Sequence, residues 1–93
     1  MVRVVVRPLG PWQMILGGET MDIEFSGRNL RDLLETLDKK SLGMLKKEVL
    51  DEEGALNPGF RIYVNGVSCD DRCLDIQISD GDNIMLFSVI DGG

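Results

Sequence analysis

NLRDLLETLDK, residues 29–39, is the stretch at which the hydrophobic period of the chain changes. Leu30, Leu33, Leu34 and Leu37 fall at i, i+3, i+4 and i+7, which puts four leucines on one face of a helix. Asn29 is placed to cap the first turn, and Asp32 suits the positive end of the helix. Lys39 and Lys40 suit its negative end. A helix with a single apolar face must be covered by a sheet or by other helices, so the flanking segments decide the fold class.

Upstream, VRVVVR (2–7) is β-branched and is followed by the Pro-Leu-Gly-Pro breaker, which predicts a strand beginning almost at the first residue. TMDIEF (20–25) alternates Met21, Ile23 and Phe25 against Asp22 and Glu24, the period of a half-buried strand, so the two segments predict a hairpin. Between them, Gly10 to Gly18 holds Trp12, Met14, Ile15 and Leu16 between glycines. It reads as a loop that is apolar enough either to fold back on the core or to meet a partner.

Downstream, residues 42–50 predict a second, shorter helix through Leu42, Leu45 and Val49, with Gly43 inside it at a cost of about 1 kcal/mol relative to alanine. DEEG (51–54) and NPG (57–59) are loop punctuation. FRIYVNG (60–66) then places Phe60, Ile62 and Val64 on one side of a strand that ends in an Asn65-Gly66 reversal. Residues 67–79 predict a short strand and a connection, with Leu74, Ile76 and Ile78 alternating, and Asp80-Gly81-Asp82 predicts a turn. In the final segment, NIMLFSVI (83–90), Ile84 and Leu86 share one face while Met85, Phe87 and Val89 share the other. The order strand, strand, helix, strand, strand, strand predicts an α+β domain, a mixed sheet of about five strands with one main helix on one face.

The 93 residues suit a single domain spanning 1–93, too small for a core plus a separate catalytic domain, so function is expected on the surface or at an end. Sixteen acidic against ten basic residues leave a net charge of −6, which disfavours nucleic acid and favours a partner with a basic socket. No stretch approaches the roughly 20 apolar residues that span a bilayer. The opening MVRVVVRPLG is interrupted by Arg3 and Arg7 and lacks a signal-peptide layout, so no membrane association and a cytoplasmic location are expected.

Much chemistry is excluded by composition. The chain has no histidine, which removes the usual base for a serine or cysteine nucleophile and the commonest neutral metal ligand. Cys69 and Cys73 supply at most two of the four ligands that zinc takes, so no metal site is expected within the chain. Their three-residue spacing also lacks the CxxC pattern that lowers a thiol pKa, and both read as thiols with a packing duty. No GxxxxGKS or GxGxxG phosphate cradle is present, and no pair of carboxylates stands isolated for acid/base work.

What remains is the ending, SVIDGG (88–93), in which an apolar strand runs almost to two final glycines. Lacking a Cβ, Gly92 and Gly93 suit a channel too narrow for other residues, one that would bring a carboxylate against a nucleotide phosphate. FRIYVNG, then SDGD, then a last apolar strand and Gly-Gly resemble the ubiquitin-like sulfur carriers, which include the small subunit of molybdopterin synthase and the thiamine-biosynthesis carrier. NLRDLLETL stands where that family has its leucine-rich helix, and LDEEGALNPG (50–59) is similar to its loop before the third strand. Within the family, the chain most resembles the molybdopterin synthase subunit. It departs from the pattern at Ser88-Val89-Ile90, where the family often has prolines, and at Asp91, where it has a small residue.

The resemblance implies a ubiquitin-like β-grasp fold, with the first and last strands parallel at the sheet centre. It implies a cosubstrate rather than an enzyme. A ubiquitin-activating-type adenylating enzyme would use ATP to join Gly93 to AMP, Gly92 would thread the partner's channel, and sulfur would then replace the adenylate to give a thiocarboxylate. No cofactor would be held stably. The acceptor implied is the large subunit of molybdopterin synthase, or another sulfur-accepting enzyme. Phe87 falls where the family places an aromatic at its partner interface; a second core layer is the competing reading of that residue. Trp12 fits either an interface or the covered end of the core, and Asp91 either a basic channel mouth or simple solvation. Two other functions use the same features: a ubiquitin-like modifier joined through Gly93 to target lysines, and a β-grasp adaptor that binds without covalent chemistry.

Overall fold

A computed structural model describes residues 1–69 and 71–89, with Asp71 and Arg72 described for their backbone alone. Five strands, β1 (Val2–Pro8), β2 (Met21–Phe25), β3 (Phe60–Val64), β4 (Val67–Cys69) and β5 (Asn83–Ser88), form one sheet in the order β2-β1-β5-β3-β4. The central pair, β1 and β5, is parallel, with Val6 opposite Ile84 and Pro8 opposite Leu86, whereas the other pairings are antiparallel. This is the β-grasp arrangement implied above, with its first and last strands side by side.

Alternation sorts the side chains cleanly. Val4, Val6, Phe60, Ile62, Ile84 and Leu86 point to one face and are buried there. Against them lies the helix α2 (Leu30–Lys40), whose Leu30, Leu33, Leu34 and Leu37 are all buried, as the period required. Its start is a capping box. The Asn29 side chain accepts from the Asp32 N–H at 2.9 Å, and the Asp32 carboxylate accepts in return from the N–H groups of Asn29 (3.4 Å) and Arg28 (2.9 Å). Gly27 is required beside this cap, because a Cβ there would sit 2.4 Å from the Asp32 Cβ.

Two segments differ from expectation. Gly10–Gly18 is not a loop: Pro11–Leu16 forms a short helix, α1, with Pro11 in its first turn and Gly17 closing it in the left-handed region at φ 88°. The glycines that read as loop punctuation are therefore its boundaries, and Trp12 and Leu16 turn inward to the core while Met14 stays exposed. The second correction concerns Gly43, which precedes rather than interrupts the helix α3 (Met44–Val49). At φ 86° it is the N-cap, so the cost of a mid-helix glycine does not arise. Connecting β4 to β5, residues 71–75 form a 3₁₀ turn against α2; Leu74 within it and Ile78 further on are buried.

Leu42, between α2 and α3, carries backbone strain. It adopts φ 58° without being glycine, and its side chain is 93% exposed, so burial returns nothing for the conformation. Left-handed geometry costs a β-carbon residue about 1–2 kcal/mol. Leu42→Gly is therefore expected to stabilise the fold by about 1 kcal/mol after the extra unfolded-state entropy of glycine is subtracted, read as a rise in the urea midpoint at unchanged slope.

Candidate functional site

The motifs that carry the family resemblance lie at one end of the sheet and serve structure there. Asn65 and Gly66 both have positive φ (52° and 83°), the two-residue turn that matches the strand twist of the β3–β4 hairpin. Asn65 then reaches the other motif: its side-chain amide donates to Asp82 at 3.0 Å, and its carbonyl oxygen accepts from the Asn83 N–H at 2.9 Å. Asp82 accepts from the Ser79 N–H (2.8 Å) and Asp80 from the Arg3 N–H (2.9 Å). VNG and SDGD thus form a clasp that sets the start of β5 against β1 and β3.

Because β5 is set there, its last residues lie at the opposite end of the sheet, where several contacts hold them. The Trp12 indole N–H donates to the Ser88 hydroxyl at 2.8 Å, and its ring meets Phe60 edge-on at 5.4 Å. Of the two readings of Trp12, burial to 2% exposure selects the covered end of the core. On the β3 side, the Val89 N–H donates to Gly59 at 2.6 Å, and the Arg61 guanidinium donates to the carbonyls of Pro58 and Phe60. The strand ends at Ser88, two residues before the end of the apolar run. Gly92 and Gly93, together with Ile90 and Asp91, lie outside the described residues.

Ser88 is invisible as a contributor in the sequence, because only the fold brings it to residue 12. Ser88→Ala leaves the buried indole N–H without its partner, a loss of about 1–3 kcal/mol. The chain has a single tryptophan, so its fluorescence during denaturant unfolding measures that loss directly.

Phe87 lies on the sheet face opposite the helices. It is half-buried and stacks on Tyr63, with ring centroids 5.7 Å apart and planes 16° from parallel. Tyr63 stands opposite Met85 and Arg61 opposite Phe87, while Arg7 flanks Met85 from β1. None of these residues belongs to the buried core cluster, so the stacking takes the place of the second core layer that was the competing reading of Phe87. A shallow depression lined by Arg7, Tyr63, Gly66, Asn83, Ile84 and Met85 lies beside the stacked pair.

Elsewhere the described residues offer little chemistry. No group of three or more His, Cys, Asp or Glu among them could hold a metal ion. Cys69 is buried and Cys73 half-buried. Among the described residues no helix is long and apolar enough to cross a membrane.

Comparison with known proteins places these features in a family. The family model described as the ThiS family matches residues 11–93. No curated protein sequence matches the chain. Among solved structures, a Pyrococcus furiosus chain assigned as molybdopterin converting factor, subunit 1, is similar at 28% identity and TM-score 0.74, with 97% of this chain and 100% of that one covered. SAMP1 of Haloferax volcanii superposes at TM-score 0.78 with 21% identity, covering 98% of this chain and 99% of that one. A chain of the Amycolatopsis orientalis BexX/CysO complex does so at TM-score 0.72 with 24% identity, covering 97% and 99%. At these last identities the likeness is one of fold.

Proposed function

The chain belongs to the ThiS family, and from that premise we propose that it is a sulfur carrier whose working group is the carboxylate of Gly93. An adenylating enzyme of the ubiquitin-activating type joins that carboxylate to the α-phosphate of ATP and releases pyrophosphate. A sulfide then displaces AMP, leaving a thiocarboxylate. The sulfur ends as a nucleophile on a mobile carrier, and a second enzyme accepts it. The chain is consumed and regenerated in this cycle, a cosubstrate that holds no cofactor of its own and works in the cytoplasm.

One observation carries the reading: the central strand β5 is clasped at its start and pinned at Ser88 and Val89, so the point at which the chain leaves the sheet is fixed. Four residues follow, a reach of at most about 14 Å when extended, long enough for Gly92 and Gly93 to enter a partner while the body stays outside. Phe87 sits at the root of that reach, which suits it for body contact with the partner. Ordering the tail costs about 1–2 kcal/mol per residue, and such contact offsets part of this.

The large subunit of molybdopterin synthase is the acceptor we favour, on the 28% likeness to the Pyrococcus furiosus chain. The modifier reading shares every step up to the adenylate and differs only in taking a lysine as acceptor. ATP–pyrophosphate exchange tests the shared step. An adenylating enzyme that is active on its own carrier should exchange when given this chain, and the absence of exchange would count against both carriage and modification.

A further inference from the structure

The overall charge of −6 predicts a basic partner, but the charges are not spread evenly. On the face that carries Phe87, the outward positions of β1, β3 and β5 hold Arg3, Arg7 and Arg61 and no carboxylate. Among the described residues, carboxylates gather at the Arg3 end of this face: Glu24 stands opposite Arg3 and Asp22 opposite Val5 on the edge strand β2, and Asp80 lines the same depression. Arg3 is therefore compensated locally. Arg7 has no carboxylate directly opposite it: it lies beyond the β2 pairing, which ends at Val6, and its neighbour on the other side is Met85. Arg61 directs its guanidinium at neutral carbonyls. Neither arginine makes an ion pair among the described residues.

Between these two cations lie Met85, Tyr63 and Phe87, all half-buried, and the depression beside Tyr63. Across the sheet, Arg7 and Tyr63 flank Met85 at a separation of about two strand spacings, roughly 10 Å. Arginine and aromatic residues at the centre of a patch, with apolar sulfur between them, make a composition enriched at protein interfaces. Desolvating two guanidinium groups that have no ion-pair partner among the described residues is unfavourable unless the partner supplies carboxylates that bond them in the same step.

We propose that this face docks an acidic partner surface with an apolar centre, in which carboxylates meet Arg7 and Arg61 around a side chain that enters beside Tyr63 and Met85. The proposal rests on the reading above that this sheet face is where the carrier's body meets its enzymes, and it reverses the polarity that net charge suggests. Long-range repulsion between an acidic carrier and an acidic partner is then opposed by local complementarity. The face thereby selects partners by position of charge rather than by its total.

The test is a titration of the isotope-labelled full chain with two synthetic peptides of equal length, followed by amide chemical shifts. One peptide has a Leu-Phe centre flanked by Asp and Glu, and the other has Lys at every acidic position. The acidic peptide is expected to shift the amides of Tyr63, Met85 and Phe87 and to bind at least tenfold more tightly than the lysine peptide. Arg7→Glu, a change at an exposed site, should lose at least tenfold of that affinity, Arg7→Lys should keep most of it, and core amide shifts should stay unchanged in both. Equal affinity for the two peptides, no binding of the acidic one, unchanged affinity in Arg7→Glu, or shifts centred on the exposed Lys39, Lys40 and Lys47 would each overturn the proposal. Nothing in the titration uses ATP or Gly93, so its failure leaves sulfur carriage standing, and a failure of pyrophosphate exchange leaves the charge preference of this face standing.

Discussion

Removal of Gly92 and Gly93 should abolish ATP-dependent sulfur loading while changing the stability of the body by no more than about 0.5 kcal/mol. The two effects separate because the described core runs from Val4 to Leu86, upstream of the deleted residues. Loading fails for a geometric reason. Two residues of extended chain span up to about 7 Å, and a misplacement of about 1 Å at a reacting group already costs roughly a hundredfold. The new terminus is also Asp91, whose side chain does not fit where glycine does. Denaturant unfolding beside a loading assay on the truncated and full chains distinguishes the two effects. Loading that survives truncation would place the chemistry elsewhere.

The largest effect on folding is expected from Leu37→Ala. Leu37 is fully buried on the face of α2 that packs on the sheet, with Leu30, Leu33 and Leu34 beside it. Truncation removes its transfer free energy and leaves a cavity among buried side chains, a loss of about 2–5 kcal/mol. A domain of this kind holds only about 5–15 kcal/mol in total, so the variant should unfold at a much lower denaturant concentration and load sulfur poorly above moderate temperature. Leu42, five residues later in sequence, is exposed and fills no such space, so the same truncation there should leave no cavity.

The helix α2 and the strands were readable because their signals are local and repeated. Four leucines at helical spacing, a capping Asn29 with Asp32, and the alternation of Phe60, Ile62 and Val64 each point one way. The parallel pairing of β1 with β5 was not readable from those residues; it came only with the family resemblance, since nothing local in VRVVVR names its partner strand. The helix α1 was missed although Trp12, Ile15 and Leu16 fall at helical spacing. Six residues show less than two turns, and Gly10, Pro11 and Gly17 carry the same letters whether they bound a helix or fill a loop. Gly43 misled in the same way.

At the site, the sequence placed Phe87 on the face of its strand opposite Ile84 and Leu86, but did not show which face the helix covers, nor Tyr63 as its stacking partner or Ser88 as the anchor of Trp12. Both depend on the register between β3 and β5 and on a contact that spans 76 residues of sequence. The arginine pair was hidden for the same reason: Arg7 and Arg61 are 54 positions apart in sequence, and total charge masks them. Gly92 and Gly93 were read from the sequence alone, and their proposed role rests on chemistry and family rather than on their described surroundings.

Intact mass spectrometry of the full chain, after incubation with ATP, a sulfur donor and an extract that loads a control carrier, tests that role most directly. The expected product has one oxygen replaced by one sulfur, with fragment ions placing the change at Gly93. A chain left unchanged while the control is loaded, or one recovered only in isopeptide linkage to lysines, would contradict it.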